Sequence, residues 1–282
     1  MQHIPVLLNE VLKELNPKPN DNFIDCTIGE GGHSKEILKK IAPNGLLLGI
    51  DRNKEQIKRA EKNLSEFGKR AILRHGKFSE LKKIVSETKF LISNGIIFDL
   101  GFSSAELTGQ GLSFLKDEVL DMRYDKDENV ETARDIINNW NYDRIIKILY
   151  EYSDEMYAKR IAENIIKERK KNRINTTFEL AFLVKKSYPR SWKGKINSAT
   201  RTFQALRIAV NNEFEEIKQG LQTALDIVDE KGTILVISFH SGEDRIVKNI
   251  LKEYGKVKLI RASNEEILKN KKSRSAKMRI LI

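Results

Sequence analysis

Residues 23–51 decide the fold. They read Phe23-Ile-Asp-Cys-Thr-Ile-Gly29-Glu-Gly31-Gly32-His33-Ser34, then an amphipathic run, then Leu46-Leu-Leu-Gly-Ile-Asp51. An apolar strand over 23–26 runs into a turn containing Gly29, Gly31 and Gly32. A helix follows with Ile37, Leu38 and Ile41 on one side, and a second buried strand over 46–50 stops on Asp51. A strand–turn–helix–strand unit with an acid about 20 residues beyond its glycines is the layout of a nucleotide-ribose site. The glycines allow close approach of backbone to ligand, and Asp51 is placed to accept from both hydroxyls of a ribose. A dinucleotide fingerprint has Gly or Ala where this chain has Ser34, so the pattern tilts toward S-adenosylmethionine, which has no pyrophosphate to cradle. A tight turn in any α/β domain also uses such glycines.

The 282 residues are 40% apolar, enough for a large core in one or two domains. No run of 18 apolar residues suggests a membrane span, and the N-terminus lacks the basic region of a signal peptide. One cysteine, Cys26, excludes an intrachain disulfide and reads as a small core residue in a reducing cytoplasm. The formal charge of +11 points to a polyanionic partner. Residues 158–195 carry 12 Lys/Arg against 3 Glu, and residues 269–279 carry 6 Lys/Arg and no acid. Concentrated basic blocks favour a phosphate backbone over a merely solvated surface.

Working outward, an N-terminal helix holds Val6, Leu7, Leu8, Val11 and Leu12. Helices are expected over 53–67 and from 78, with strands over 71–74 and 94–99, the latter again ending on a carboxylate, Asp99. Alternating strands and helices imply a doubly wound, mostly parallel sheet covered on both faces. The rhythm breaks near residue 107. Helices are expected over 133–140, 142–150, 154–171 and 178–186, the last opened by a capping box from Thr176 to Glu179. We therefore expect a sheet domain from 1–106 and 198–282, with an all-helical insertion over 107–197 carrying most of the first basic block.

One long helix is expected over 199–228. Phe203, Leu206, Val210, Phe214, Ile217 and Leu221 fall within about an 80° arc. Arg201, Gln204, Arg207 and Asn211 lie opposite and suggest positioned hydrogen bonding. The alternation then resumes with a strand over 232–239, a helix over 244–254 and closing strands over 256–261 and 277–282. Ser241 to Asp244 reads as another capping box.

The chain resembles the RsmH (MraW) family of bacterial methyltransferases, which modify the N4 amine of a cytidine in the decoding region of 16S ribosomal RNA. The resemblance rests on ordered blocks: His3-x-Pro5-Val-Leu-Leu-x-Glu10, Gly31-Gly32-His33-Ser34, Asp99-Leu-Gly-Phe-Ser-Ser104 and Leu120-Asp-Met-Arg123. It continues with Ala199-Thr-Arg-Thr-Phe-Gln-Ala-Leu-Arg-Ile208, Ser238-Phe-His-Ser241 with Glu243-Asp-Arg245, and Ser273-Arg-Ser-Ala276. It implies a class I S-adenosylmethionine-dependent methyltransferase domain with an inserted helical domain. The implied cofactor positions are Gly31, Gly32, His33, Asp51, Phe78, Asp99 and Glu106. Departures from the family pattern are Glu106 for Gln, Gly242 for Leu, Gln110-Gly-Leu for Arg-Gly-Phe, and Asn197 where His-Pro is common.

Methyl transfer from a sulfonium needs positioning more than acid–base power. Acceptors for the two hydrogens of a cytosine amine aim its lone pair, and Asp99, at a strand's carboxyl end, is the leading candidate, with cofactor contact as its competing role. Ser103 and Ser104 either assist or cap the loop. His240 either orients the base or serves the loop, and His33 reads as a cofactor or loop contact. No metal is expected from four scattered histidines and one cysteine. Arg123, Lys170, Lys171, Arg173, Arg201 and Arg207 are the RNA-contact candidates. Phe114, Tyr124 and Trp192 are candidates for stacking or, more simply, for the core. The expected partner is 16S ribosomal RNA or the small ribosomal subunit, with no membrane, and a monomer and a homodimer both stay open. A nicotinamide-dependent reductase and a non-catalytic RNA-binding assembly factor are the rival readings.

Overall fold

Strand and helix alternate as the apolar pattern dictates. In the computed structural model, which describes residues 5–88, 90, 93–101, 109–194 and 196–282, α1 (Leu8–Leu15) leads into β1 (Phe23–Asp25), α2 (Gly32–Lys40) and β2 (Leu47–Asp51). Then come α3 (Lys54–Asn63), β3 (Ala71–His75), α4 (Leu81–Thr88) and β4 (Ser93–Asp99). Among the described residues the next elements are helices: α5 (Ala133–Asn139), α6 (Tyr142–Ser153), α7 (Ala158–Arg169), α8 (Thr177–Ser187) and α9 (Ala199–Asn211). The chain closes with α10 (Glu213–Ile227), β5 (Val228–Ser238), α11 (Ser241–Tyr254), β6 (Val257–Arg261), α12 (Asn264–Lys269) and β7 (Lys277–Leu281).

The strands form one seven-stranded sheet in the order β3-β2-β1-β4-β5-β7-β6. β1 to β5 pair in parallel, while β7 runs antiparallel between β5 and β6. Successive side chains point to opposite faces, and each face has its own core. Phe23, Leu47, Ile97, Leu235, Ile237, Met278 and Ile280 pack with α1, α2 and α3. Ile24, Leu48, Ile96, Phe98, Ile234 and Val236 pack with α4, α10 and α11. Burial on both sides explains why the central strands read as continuous apolar runs. Cys26 is fully buried, and burial pushes its thiol well above the ordinary range, as suits a core residue.

The chain divides into two compact units, Met1–Gly101 with Phe214–Ile282, and Phe102–Glu213. The second unit has its own core, built from Leu120, Met122, Ile136, Ile145, Ile161, Leu180 and their neighbours. Reciprocal caps start two of its helices, Thr132 with Asp135 and Thr176 with Glu179. The boundary differs from the expected 107–197. α9 belongs to the helical unit because Phe203, Leu206 and Val210 join its core, whereas Ile217 and Leu221 belong to the sheet unit. The single long helix expected over 199–228 is two helices, broken at Asn212, which caps α9 in the left-handed region with φ 51°. Among the described residues no helix is long and apolar enough to cross a membrane.

Candidate active site

The carboxyl ends of β1, β2 and β4 lie side by side, because Asp25 registers against Gly49 on one side and Ile97 on the other. This is where the strand order reverses direction, and open α/β sheets bind ligands there. Gly29 and Gly31 adopt φ +50° and +83°, a region that costs glycine nothing. The glycines have different tasks. A Cβ on Gly31 would lie 3.0 Å from the Leu64 side chain, and one on Gly32 would lie 2.6 Å from Pro5 Cγ. These two expected cofactor positions thus let α2 begin hard against its own protein. A Cβ on Gly29 would meet nothing closer than Thr27 O at 3.9 Å. The open side of the turn is therefore at Gly29, which the sequence reading placed in the turn but not among the cofactor positions.

Asp51 faces that turn. Its Oδ2 accepts from the Gly29 amide at 2.9 Å and its Oδ1 from the Asn53 amide at 2.8 Å. The carboxylate is thereby oriented at the turn, on the strand end that a ribose acid occupies. Phe78 lies in a 3₁₀ turn beyond β3, half-buried, with its ring edge-on to Phe98 at 5.8 Å between centroids. An open glycine, an oriented carboxylate and an aromatic wall fit an adenosine-bearing cofactor.

Beneath the turn lies a network that sequence reasoning missed. Asp25 is 2% exposed. Its Oδ2 accepts from the Ser34 hydroxyl at 2.6 Å and its Oδ1 from the Thr27 amide at 3.1 Å. Burial pushes the Asp25 carboxyl above its ordinary range, and the Ser34 bond and nearby His33 only partly offset this. Thr27 Oγ1 in turn accepts from the Asp99 amide at 2.6 Å. The ends of β1 and β4 and the first turn of α2 are tied through three side chains. An acid inside an apolar strand, nine residues before a serine, was the available signal.

Asp99 is partly exposed, and its Oδ1 accepts from the Gly101 amide at 3.1 Å. His33 is buried, with Nε2 2.9 Å from the Val6 carbonyl and Nδ1 3.7 Å from Asp99 Oδ2. A carbonyl only accepts, so Nε2 carries the proton and holds the ring to the segment before α1. His33 thus acts on protein groups, beside Asp99 rather than bonded to it. Glu106, with Ser103, Ser104 and His3, lies outside the described residues.

The capping box expected from Ser241 to Asp244 is displaced by one residue. His240 is the N-cap of α11: its ring accepts from the Glu243 amide at 3.4 Å, and Glu243 Oε2 accepts from the amides of Phe239 and His240. The geometry gives His240 a structural task. Asp244 instead accepts two bonds from Arg279, at 2.6 and 3.1 Å, and one from Lys277 at 2.9 Å. Burial opposes its ionisation, but these cations hold its carboxyl below the usual range. Gly242 is accommodated for a local reason, since a Cβ there would lie 2.6 Å from the Phe214 ring.

In the helical unit the six RNA-contact candidates separate. Arg123 donates from Nε and Nη2 to Asp121 and from Nη1 to the Glu128 carbonyl. Arg207 makes a two-bond pair with Glu213 at 2.7 and 2.8 Å. Arg201 donates to the Asp154 carbonyl. Gln204 reaches the Tyr152 carbonyl, and buried Asn211 reaches the Met122 carbonyl and the Tyr124 amide. The polar side of α9 does hold positioned hydrogen bonds, and its partners are groups of the same unit. Lys170, Lys171 and Arg173, in the turn between α7 and α8, are exposed. Phe114 packs edge-on to Phe203, Tyr124 bonds Glu213, and Trp192 packs on Tyr188.

The architecture is that of a class I S-adenosylmethionine-dependent methyltransferase. The chain belongs to the MraW methylase family, whose sequence pattern it matches over residues 1–282. It is 43% identical over 290 residues to a protein of Persephonella marina named ribosomal RNA small subunit methyltransferase H, covering 99% of this chain and 98% of that one. A Clostridioides difficile protein of the same name is 39% identical over 306 residues, covering 99% and 97%.

Proposed function

We propose that this protein transfers a methyl group from S-adenosylmethionine to the N4 amine of a cytidine in small-subunit ribosomal RNA, in the cytoplasm. The observation that carries the reading is the placement of Asp99, a partly exposed carboxylate at the end of β4 beside the glycine turn and oriented through its own backbone. S-adenosylmethionine, when bound, supplies an electrophilic methyl on a positively charged sulfur. Asp51 is the acceptor for its ribose hydroxyls, the Gly29 side of the turn lets it approach the backbone, and Phe78 lines the adenine end.

The chemical difficulty belongs to the acceptor. A cytosine amine conjugates its lone pair into the ring, so the base needs an acceptor for the amine hydrogens that turns the nitrogen's electron density outward. Asp99 fills that role. Because its amide is held by Thr27 and its Oδ1 by Gly101, it needs little reorganisation to do so. His240, committed to the start of α11, receives no step. Lys170, Lys171 and Arg173 supply phosphate contacts that hold the RNA.

The test is mass mapping of methylated nucleosides in 16S ribosomal RNA from cells with the protein, without it, and with Asp99→Ala. Loss of one cytidine methyl in both the deletion and the variant, with S-adenosylmethionine binding by the variant retained within several-fold, is the expected result. An unchanged methylation map in the deletion rejects the reading. Full methylation by Asp99→Ala removes that residue's role alone.

A further inference from the structure

We infer that the exposed face of α8 is a stacking platform for bases of single-stranded RNA, with Phe178 and Phe182 as the rings. The inference rests on RNA being the substrate and names two rings, inside the first basic block, that the sequence did not single out.

Phe178 and Phe182 are 48% and 56% exposed. They stand four residues apart and so share one side of the helix. The other side is already satisfied, because Leu180, Leu183 and Val184 are buried in the core of the helical unit. Two large rings side by side on the solvent face of one helix form a small apolar patch open to a partner. The aromatic candidates Phe114, Tyr124 and Trp192 all have packing or hydrogen-bond partners within the same unit.

Charge selects the occupant. The Lys186 ammonium lies over one face of the Phe182 ring, 4.1 Å from its centroid, so a base stacked on the opposite face has its phosphate within reach of a cation. Lys185 is exposed on the same helix, and Lys170, Lys171 and Arg173 are exposed in the turn that enters it. The acids nearby are engaged on backbone. Glu179 accepts from the Asn175 and Thr176 amides, and Asp117 accepts from the Phe178 amide. Thr177 also bonds the Lys116 and Glu118 carbonyls, fastening a loop with exposed Lys116 to the start of the helix. Rings interleaved with cations, with the acids turned to the helix end, suit a strand that stacks its bases and carries negative charge. A partner protein that buried two phenylalanines here would have to place an acidic surface beside an apolar one.

The test uses the full-length protein and a labelled, unstructured oligocytidylate, read by fluorescence anisotropy over a range of salt. Phe178→Ala and Phe182→Ala should each weaken binding by about ten-fold, leaving circular dichroism, S-adenosylmethionine binding and the salt slope unchanged. Phe182→Trp should bind as well as the parent, whereas Phe182→Leu should lose as much as Phe182→Ala. Wild-type affinity in the double alanine variant overturns the platform, and so does full retention by Phe182→Leu, which would make the contact merely apolar. So would a concentration-dependent oligomer of the parent that the double variant dissolves, which would assign the face to a second copy of the chain. If the parent itself binds no oligocytidylate, the platform falls, and the underlying functional reading still stands or falls by the methylation map. If instead the parent binds and only Lys170, Lys171 and Arg173 substitutions matter, that reading stands and the platform alone is lost.

Discussion

Ser34→Ala removes one hydroxyl from the floor of the glycine turn, and its effect should depend on pH in a defined direction. Ser34 is fully buried and donates to Asp25 Oδ2 at 2.6 Å. Burial raises the Asp25 pKa, so the folded protein binds this proton more tightly than the unfolded chain does. The stability contributed by that difference is complete below the unfolded value of about 3.9 and is lost as pH rises through the raised folded value. Over the same window the Ser34 bond changes character. To a protonated acid it is an ordinary hydrogen bond, contributing about 1 kcal/mol, whereas to the carboxylate it contributes about 1.5–3 kcal/mol. The cost of Ser34→Ala should therefore rise with pH, from about 1 to about 1.5–3 kcal/mol. Urea unfolding across the window, with Asp25→Asn and the double variant completing a cycle, measures it. In the Asp25→Asn background the pH dependence should vanish. A cost that is flat with pH, or one that survives unchanged in that background, refutes the assignment of the bond to an ionising Asp25.

Asp244→Asn should destabilise the sheet unit by about 3–5 kcal/mol, because it leaves buried Arg279 without its counter-charge. Because the Asp244 carboxyl is held below its usual range, its contribution is present above the unfolded value and lost as pH falls through the folded one, so the variant should show a shallower acid limb in its unfolding curve. Arg207→Ala should cost about 2–3 kcal/mol through loss of its two bonds to Glu213. It should leave the salt slope of RNA affinity unchanged, and a reduced slope would return Arg207 to the RNA interface. Asp51→Ala should lower S-adenosylmethionine affinity by at least about ten-fold in a calorimetric titration. Undiminished affinity would separate Asp51 from the ribose.

The sheet, the glycine turn and the acids at its strand ends were legible because they depend on local order. Continuous apolar strands announce a sheet buried on both faces, and a turn that needs positive φ announces itself through Gly29 and Gly31. Periodicity could also say that Arg201, Gln204, Arg207 and Asn211 share a side of one helix. It could not say that the end of α6, with Tyr152 and Asp154, and the segment carrying Met122 would supply their partners, since an outward polar face reads the same toward protein, solvent or RNA. Nor could it separate two helices at Asn212, which carries no proline or glycine to mark the break. Asp244 finds Arg279 across 35 residues, and His240 displaces the neighbouring serine as the cap of α11. Such choices rest on where the folded backbone carries each donor and acceptor, and on the cost of leaving any of them buried without a partner.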